Sequence, residues 1–153
     1  MWQRLFPRQL DNTYRGHAIA LWLFGGVLMM KLLIAVNSIA MGETVARSAD
    51  GIPIDTYTLA GARTVVALFA IWGVAQLMIV LVCLLALFRY RGMVPILFVV
   101  LLLEFLARKL ALIALPIAKA GAESGAGTIV NCGLFVVILA GSALSLMGRD
   151  PAS

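Results

Sequence analysis

Four long apolar stretches constrain this chain more than any other feature, and they occupy residues 18–41, 64–88, 93–117 and 128–147. An α-helix rises about 1.5 Å per residue, so about 20 residues are needed to cross roughly 30 Å of hydrocarbon. Each stretch reaches that length. The pattern therefore predicts four transmembrane helices, which would form a single membrane domain over residues 1–153.

Composition supports the same prediction, because 63% of the residues are apolar and only 12% are charged. Soluble domains have roughly half apolar and a quarter charged residues. A transmembrane β-barrel would alternate apolar and polar residues, whereas these stretches are apolar on every face. The first stretch is too long for a cleaved signal peptide and contains Lys31. We predict an all-α integral membrane protein, a bundle of four transmembrane helices.

The basic residues indicate the orientation, since short cytoplasmic loops are enriched in Lys and Arg. One side would carry an interfacial arm (1–17), a tight turn (89–92) and a tail (148–153), and the other side two loops (42–63 and 118–127). The first side carries six arginines: Arg4, Arg8, Arg15, Arg89, Arg91 and Arg149. The second side carries three cations: Arg47, Arg63 and Lys119. We therefore predict that both termini are cytoplasmic, and that the protein lies in a bacterial inner membrane.

The longer outer loop has its own apolar centre. Ile52 and Ile54 flank Pro53 after an Asp-Gly pair that favours a turn. We expect the loop to be partly ordered, because burial of these apolar side chains would stabilise a folded conformation of the loop.

Polar residues occur inside every predicted span and carry the functional prediction. Near the middle of the bilayer lie Lys31, Gln76, Glu104, Arg108 and Asn131. Charged side chains at that depth cost about 2.5–3.5 kcal/mol each to insert, so they should face the bundle interior and contact one another. Glu104 and Arg108 share a helix face at the i, i+4 spacing, and Lys31 can approach the same carboxylate.

Three further polar residues lie beside this predicted cluster. Lys109 points about 140° away from Glu104 on a helix of 3.6 residues per turn, so it should reach outward or meet another subunit. Asn37 and Ser38 extend the polar side of the first helix toward the outer surface, where they either line a path or bond to neighbouring helices.

The sequence offers no pattern for catalysis, a metal or a cofactor. Its two cysteines, Cys83 and Cys132, form no Cys-x-x-Cys pair, and its one histidine, His17, lies at a helix end. The net charge of +5 is spread over the ends of the spans, which does not favour nucleic-acid binding.

Two interpretations of the polar cluster remain open. It is either an ionic network that only fixes helix register, or a site that transports or binds a small anionic or lipid-like ligand, because cations outnumber the one carboxylate. Four helices enclose little space, so an oligomer is expected. The alternative is a non-catalytic accessory or structural subunit that binds partner membrane helices, and an enzyme acting on a lipid-soluble substrate ranks last.

Overall fold

The computed structural model describes residues 12, 14, 16–117 and 125–147, and over these residues the chain is helical without a β-strand. Its α-helices are α1 (Ala18–Ala40), α2 (Gly42–Ser48), α3 (Leu59–Arg89), α4 (Val94–Ala114) and α5 (Gly125–Leu146), with 3₁₀ turns at Ile54–Thr56 and Arg91–Met93. The all-α prediction is confirmed. Most of the predicted arm, residues 118–124 of the second outer loop and the tail lie outside the described residues.

Three of these helices are long and apolar enough to cross a membrane: α1, α3 and, in α5, the segment Ile129–Leu146. This agrees with the prediction of a membrane protein. Helix α4 has 21 residues, but it carries Glu104, Arg108 and Lys109 close together. Its charge therefore distinguishes it from the other three long helices.

Local sequence explains where the helices begin and end. Helix α3 begins before the predicted span, at Leu59, because the Thr58 hydroxyl accepts a hydrogen bond from the Gly61 amide at 3.2 Å and so caps the first turn. Pro95 occupies the first turn of α4, where no amide hydrogen is needed. Helix α4 ends at Ala114, since a residue that precedes a proline, here Leu115 before Pro116, disfavours helical geometry.

The helices form a four-membered ring with one loosely packed side. Helix α1 packs along α3 on one side and along α5 on the other, and α5 also packs along α4. Helix α3 approaches α1 closely at Gly73, where a Cβ atom would lie 2.9 Å from the carbonyl oxygen of Ala35. By contrast, α3 and α4 contact each other little, although only a short turn joins them.

The two ends of the bundle differ, and we call them the turn end, which holds the Arg91–Met93 turn, and the loop end, which holds α2. The main apolar core fills the half near the turn end, where the rings of Phe24 and Phe98 meet edge to face with centroids 4.9 Å apart. The Phe98 ring lies directly on Gly141 of α5, where any side chain would displace it.

A smaller apolar cluster orders the segment at the loop end. Ala46 of α2 packs with Ile52 and Ile54, and Phe69 of α3 lies against them. Gly51 allows the turn between these parts, with φ of 67°. The segment predicted as an ordered loop is therefore folded onto the end of α3.

Candidate functional site

The first layer of the polar cluster joins three helices at one level of the bundle. Lys31 of α1 forms an ion pair with Glu104 of α4, with 2.8 Å between Nζ and Oε2. Gln76 of α3 donates from Nε2 to the other carboxylate oxygen, Oε1, at 3.0 Å. The Lys31 side chain is 6% exposed and that of Glu104 is 20% exposed. This layer is neutral overall, and both carboxylate oxygens of Glu104 have a donor.

The second layer lies one helical turn nearer the loop end and centres on Arg108. Its guanidinium donates to the Asn131 side-chain oxygen of α5 at 3.1 Å. The Asn131 amide nitrogen in turn donates to the Gly127 carbonyl oxygen at 2.8 Å, which fixes the orientation of the amide. The Arg108 guanidinium also lies 5.6 Å from the ring centroid of Trp72 and 5.4 Å from that of Phe105. Cation–π contact of this kind stabilises a partly desolvated cation.

Arg108 does not form the ion pair with Glu104 that the i, i+4 spacing suggested. Among the described residues, the ion pair of Glu104 is with Lys31, and Gln76 takes the remaining carboxylate oxygen. The structure thus brings all five predicted residues together in space but divides them into two layers. Positive charge in the second layer has no acidic partner among the residues described.

The remaining predicted residues lie apart from these two layers. Lys109 is exposed, and its Nζ atom lies 5.8 Å from the ring centroid of Phe105. Asn37 is exposed on α1. Ser38 is fully buried, and its hydroxyl has no hydrogen-bond partner among the described residues. Over the described residues, no hydrogen bond links Asn37 or Ser38 to the cluster.

Trp72 and Phe105 are parts of the site that sequence reasoning missed. Trp72 precedes Gln76 by four residues on α3, and the same spacing separates Glu104 from Arg108 on α4. Because residues four apart lie on one helix face, two antiparallel helices that match Gln76 with Glu104 also match Trp72 with Arg108. That signal was present in the sequence, but a tryptophan in an apolar span is more commonly a packing residue.

Helix α4 loses its cover just beyond the second layer. Leu112 follows the buried Phe105 by seven residues and so lies on nearly the same face, yet it is 41% exposed. Every residue from Lys109 to Ile117 is exposed. Arg108 therefore lies where the closed part of the bundle ends and the surface of α4 opens.

The residues described contain no group of three or more His, Cys, Asp or Glu side chains that lie together. Cys83 is buried and Cys132 is exposed, and both are free thiols. Comparison of the chain with protein families, with curated proteins and with solved structures found no significant match. Function is therefore inferred from the geometry of the two layers.

Proposed function

We propose that the chain crosses a bacterial inner membrane four times, with both termini in the cytoplasm. The assignment of helix α4 as a membrane span needs a physical argument, because this helix carries three charged residues. Its 21 residues extend about 31 Å at 1.5 Å each, which matches the hydrocarbon thickness. The ion pair with Lys31 neutralises Glu104 inside the bundle. The distribution of arginines favours a cytoplasmic turn end.

Cysteine labelling tests this topology in a variant that lacks Cys83 and Cys132. An impermeant maleimide added to intact spheroplasts should label Asp50→Cys at the loop end. Tyr90→Cys, in the turn, should react only after the membrane is permeabilised. Labelling of both positions from the same side would refute the four-span arrangement.

We propose further that the protein binds a small anionic ligand at Arg108. The observation that carries this proposal is the guanidinium itself, which is partly buried against aromatic rings and has no carboxylate partner among the described residues. A cation inside a membrane protein is costly unless it is paired. Guanidinium binds carboxylate or phosphate through two parallel hydrogen bonds. Among the described residues, Arg108 donates one hydrogen bond, to Asn131, which leaves donors for such a ligand.

The first layer has a supporting role in this proposal. Lys31 and Glu104 neutralise each other, and Gln76 completes the pairing of the carboxylate. Both carboxylate oxygens of Glu104 are thereby occupied, so the Arg108 guanidinium forms no salt bridge with this carboxylate. The closed apolar core at the turn end, centred on Phe24 and Phe98, favours binding over open conduction. Transport by this chain would require that core to open.

Thermal unfolding in an uncharged detergent tests anion binding. We expect at least one anionic probe, inorganic phosphate or decanoate, to raise the Tm of the wild type, and decanol to have no such effect. At about 100 times its Kd, a ligand stabilises the folded state by about 2.7 kcal/mol. Arg108→Gln should lose the response, whereas Lys109→Gln serves as the matched control. No response to either anion, or an equal response to decanol, would refute the proposal.

One observation favours the alternative of an accessory subunit. Lys109 is exposed on α4 at a depth where lipid would surround it, and its nearest described contact is the face of an aromatic ring. An acidic side chain on a partner helix, or on a second copy of this chain, would neutralise it. If Lys109 has this role, Lys109→Gln should change the oligomeric state or the co-purifying proteins in mild detergent. Arg108→Gln should leave both unchanged.

A further inference from the structure

The surface next to Arg108 indicates what kind of anion the site takes. After Lys109, the sequence of α4 and its end is Leu-Ala-Leu-Ile-Ala-Leu-Pro-Ile, residues 110–117, with no polar side chain. All eight of these residues are exposed. A hydrated inorganic anion gains nothing from such a surface, whereas a hydrocarbon chain can lie along it.

Helix α3 continues the apolar surface on the other side of its loose contact with α4. Trp72 is partly buried and faces Arg108, and its neighbours Leu68 and Ile71 are 59% and 66% exposed. The loose contact between α3 and α4 is therefore flanked by exposed apolar side chains on the outer side of the bundle.

Access from water at the loop end is covered by the folded segment after α1. Ile52 and Ile54 pack onto α3. The carbonyl group of Ala49 lies against Gly127 of α5, where a Cβ atom would overlap it. These contacts cover the loop end over α1, α3 and α5. Between α3 and α4, close backbone approaches are few, and the helices are joined through the Gln76–Glu104 hydrogen bond and the Trp72–Arg108 contact.

Arg108 is also within reach of a lipid headgroup. Helix α4 ends at Ala114, six residues beyond Arg108, which corresponds to about 9 Å along the helix axis. Arginine side chains reach several ångströms toward the interface. A headgroup that approaches between α3 and α4 therefore needs to move only a short distance below the end of α4.

We propose that the ligand is an amphiphile with one anionic headgroup and a hydrocarbon chain, and that it enters from the lipid between α3 and α4. Its carboxylate or phosphate pairs with Arg108, and its chain lies along residues 110–117 of α4. This inference rests on the proposed anion-binding function and specifies the class of ligand.

Trp72 provides the reporter for this proposal, because the chain has three tryptophans and two of them can be removed. In a Trp2→Phe, Trp22→Phe background, dibromostearate should quench Trp72 fluorescence in an uncharged detergent at a pH where the acid is ionised. Its methyl ester has the same brominated chain without the charge. We expect half-maximal quenching by the acid at a concentration at least tenfold lower than by the ester.

Variants locate the interaction. Arg108→Gln should reduce the difference between acid and ester to less than twofold, and Lys109→Gln should preserve most of it. Quenching by the ester monitors access to Trp72 in each variant, so a variant that fails to fold is recognised by a changed ester curve. In that event Arg108→Lys, which keeps the charge, provides the second test and should retain a preference for the acid.

The outcomes separate this inference from the function on which it rests. Equal quenching by the acid and the ester in the Trp2→Phe, Trp22→Phe parent would refute the proposal that the ligand is an anionic amphiphile. If inorganic phosphate nevertheless changes Trp72 emission in an Arg108-dependent way, the site binds a free anion and only the ligand class is wrong. If neither probe acts through Arg108, both the ligand class and the anion-binding function are refuted.

Discussion

Replacement of Glu104 by Gln measures how strongly the first layer holds the bundle together. The substitution removes the counter-charge of Lys31, whose side chain is only 6% exposed. Removing one partner of a buried ion pair typically costs about 3–5 kcal/mol. The amide oxygen of the new side chain can still accept a hydrogen bond from Lys31, and Glu104 itself is 20% exposed. We therefore expect a loss of about 3 kcal/mol, at the lower end of this range.

The assay is thermal unfolding in mild detergent. One kcal/mol corresponds to about 2–4 °C for a domain of this size, so the Tm of Glu104→Gln should fall by about 6–12 °C. Gln76→Leu is the matched control, because it removes one donor to the same carboxylate and leaves the ion pair intact. Its loss should be smaller, about 1–2 kcal/mol, since hydrogen bonds to charged groups contribute about 1.5–3 kcal/mol and the substitution adds apolar packing.

A combined variant distinguishes charge balance from packing. When Lys31→Met is added to Glu104→Gln, no buried charge of this pair remains, so the double variant should recover much of the lost stability. Equal Tm values for the wild type and Glu104→Gln would mean that Glu104 does not neutralise a buried cation. The two-layer description of the cluster would then have to be abandoned.

Three further expectations follow from the packing. Ala46→Asp should unfold the segment at the loop end and speed tryptic cleavage at Arg47 at least tenfold, because Ala46 is fully buried; unchanged cleavage would show that the segment is not held by this contact. Gly73→Ala should destabilise the bundle by about 1–3 kcal/mol, since its Cβ would lie 2.9 Å from a backbone oxygen of α1. Gly133→Ala, where a Cβ meets no atom within 4 Å, is its control, and equal effects on the Tm would contradict the close approach. Ser38→Ala should be neutral or stabilise by about 1 kcal/mol, because the buried hydroxyl has no partner among the described residues. A clear decrease in the Tm of this variant would instead show that the hydroxyl is bonded to water or a ligand.

Much of the site was predictable because it follows from local spacing. The i, i+4 relation of Glu104 and Arg108 placed both on one face of α4. The insertion cost of a charge at that depth predicted that charged groups contact one another, and Lys31 could approach the same carboxylate from another helix. The same helical geometry predicted that Lys109 turns about 140° away from Glu104, and Lys109 is exposed.

The partners within the cluster could not be derived in this way. A guanidinium and an ammonium group are both suitable partners for the Glu104 carboxylate, and sequence spacing favours the guanidinium on the same helix. In the structure, Lys31 and Gln76 occupy both carboxylate oxygens, and Arg108 turns to Asn131 and Trp72. The outcome depends on the relative axial positions of four helices, which are set by packing contacts such as those of Gly73 and Gly141.

The sequence by itself determined the helical, membrane-compatible character of this protein, because apolar length and composition leave few other ways to satisfy the backbone in lipid. It also indicated which polar residues lie within the apolar stretches. Only the tertiary structure decided that the core is closed at the turn end and open along α4 at the loop end. That difference arises because close contact between helices depends on where small residues and aromatic rings meet across the bundle, as Phe98 does on Gly141, and such meetings join residues far apart in the chain.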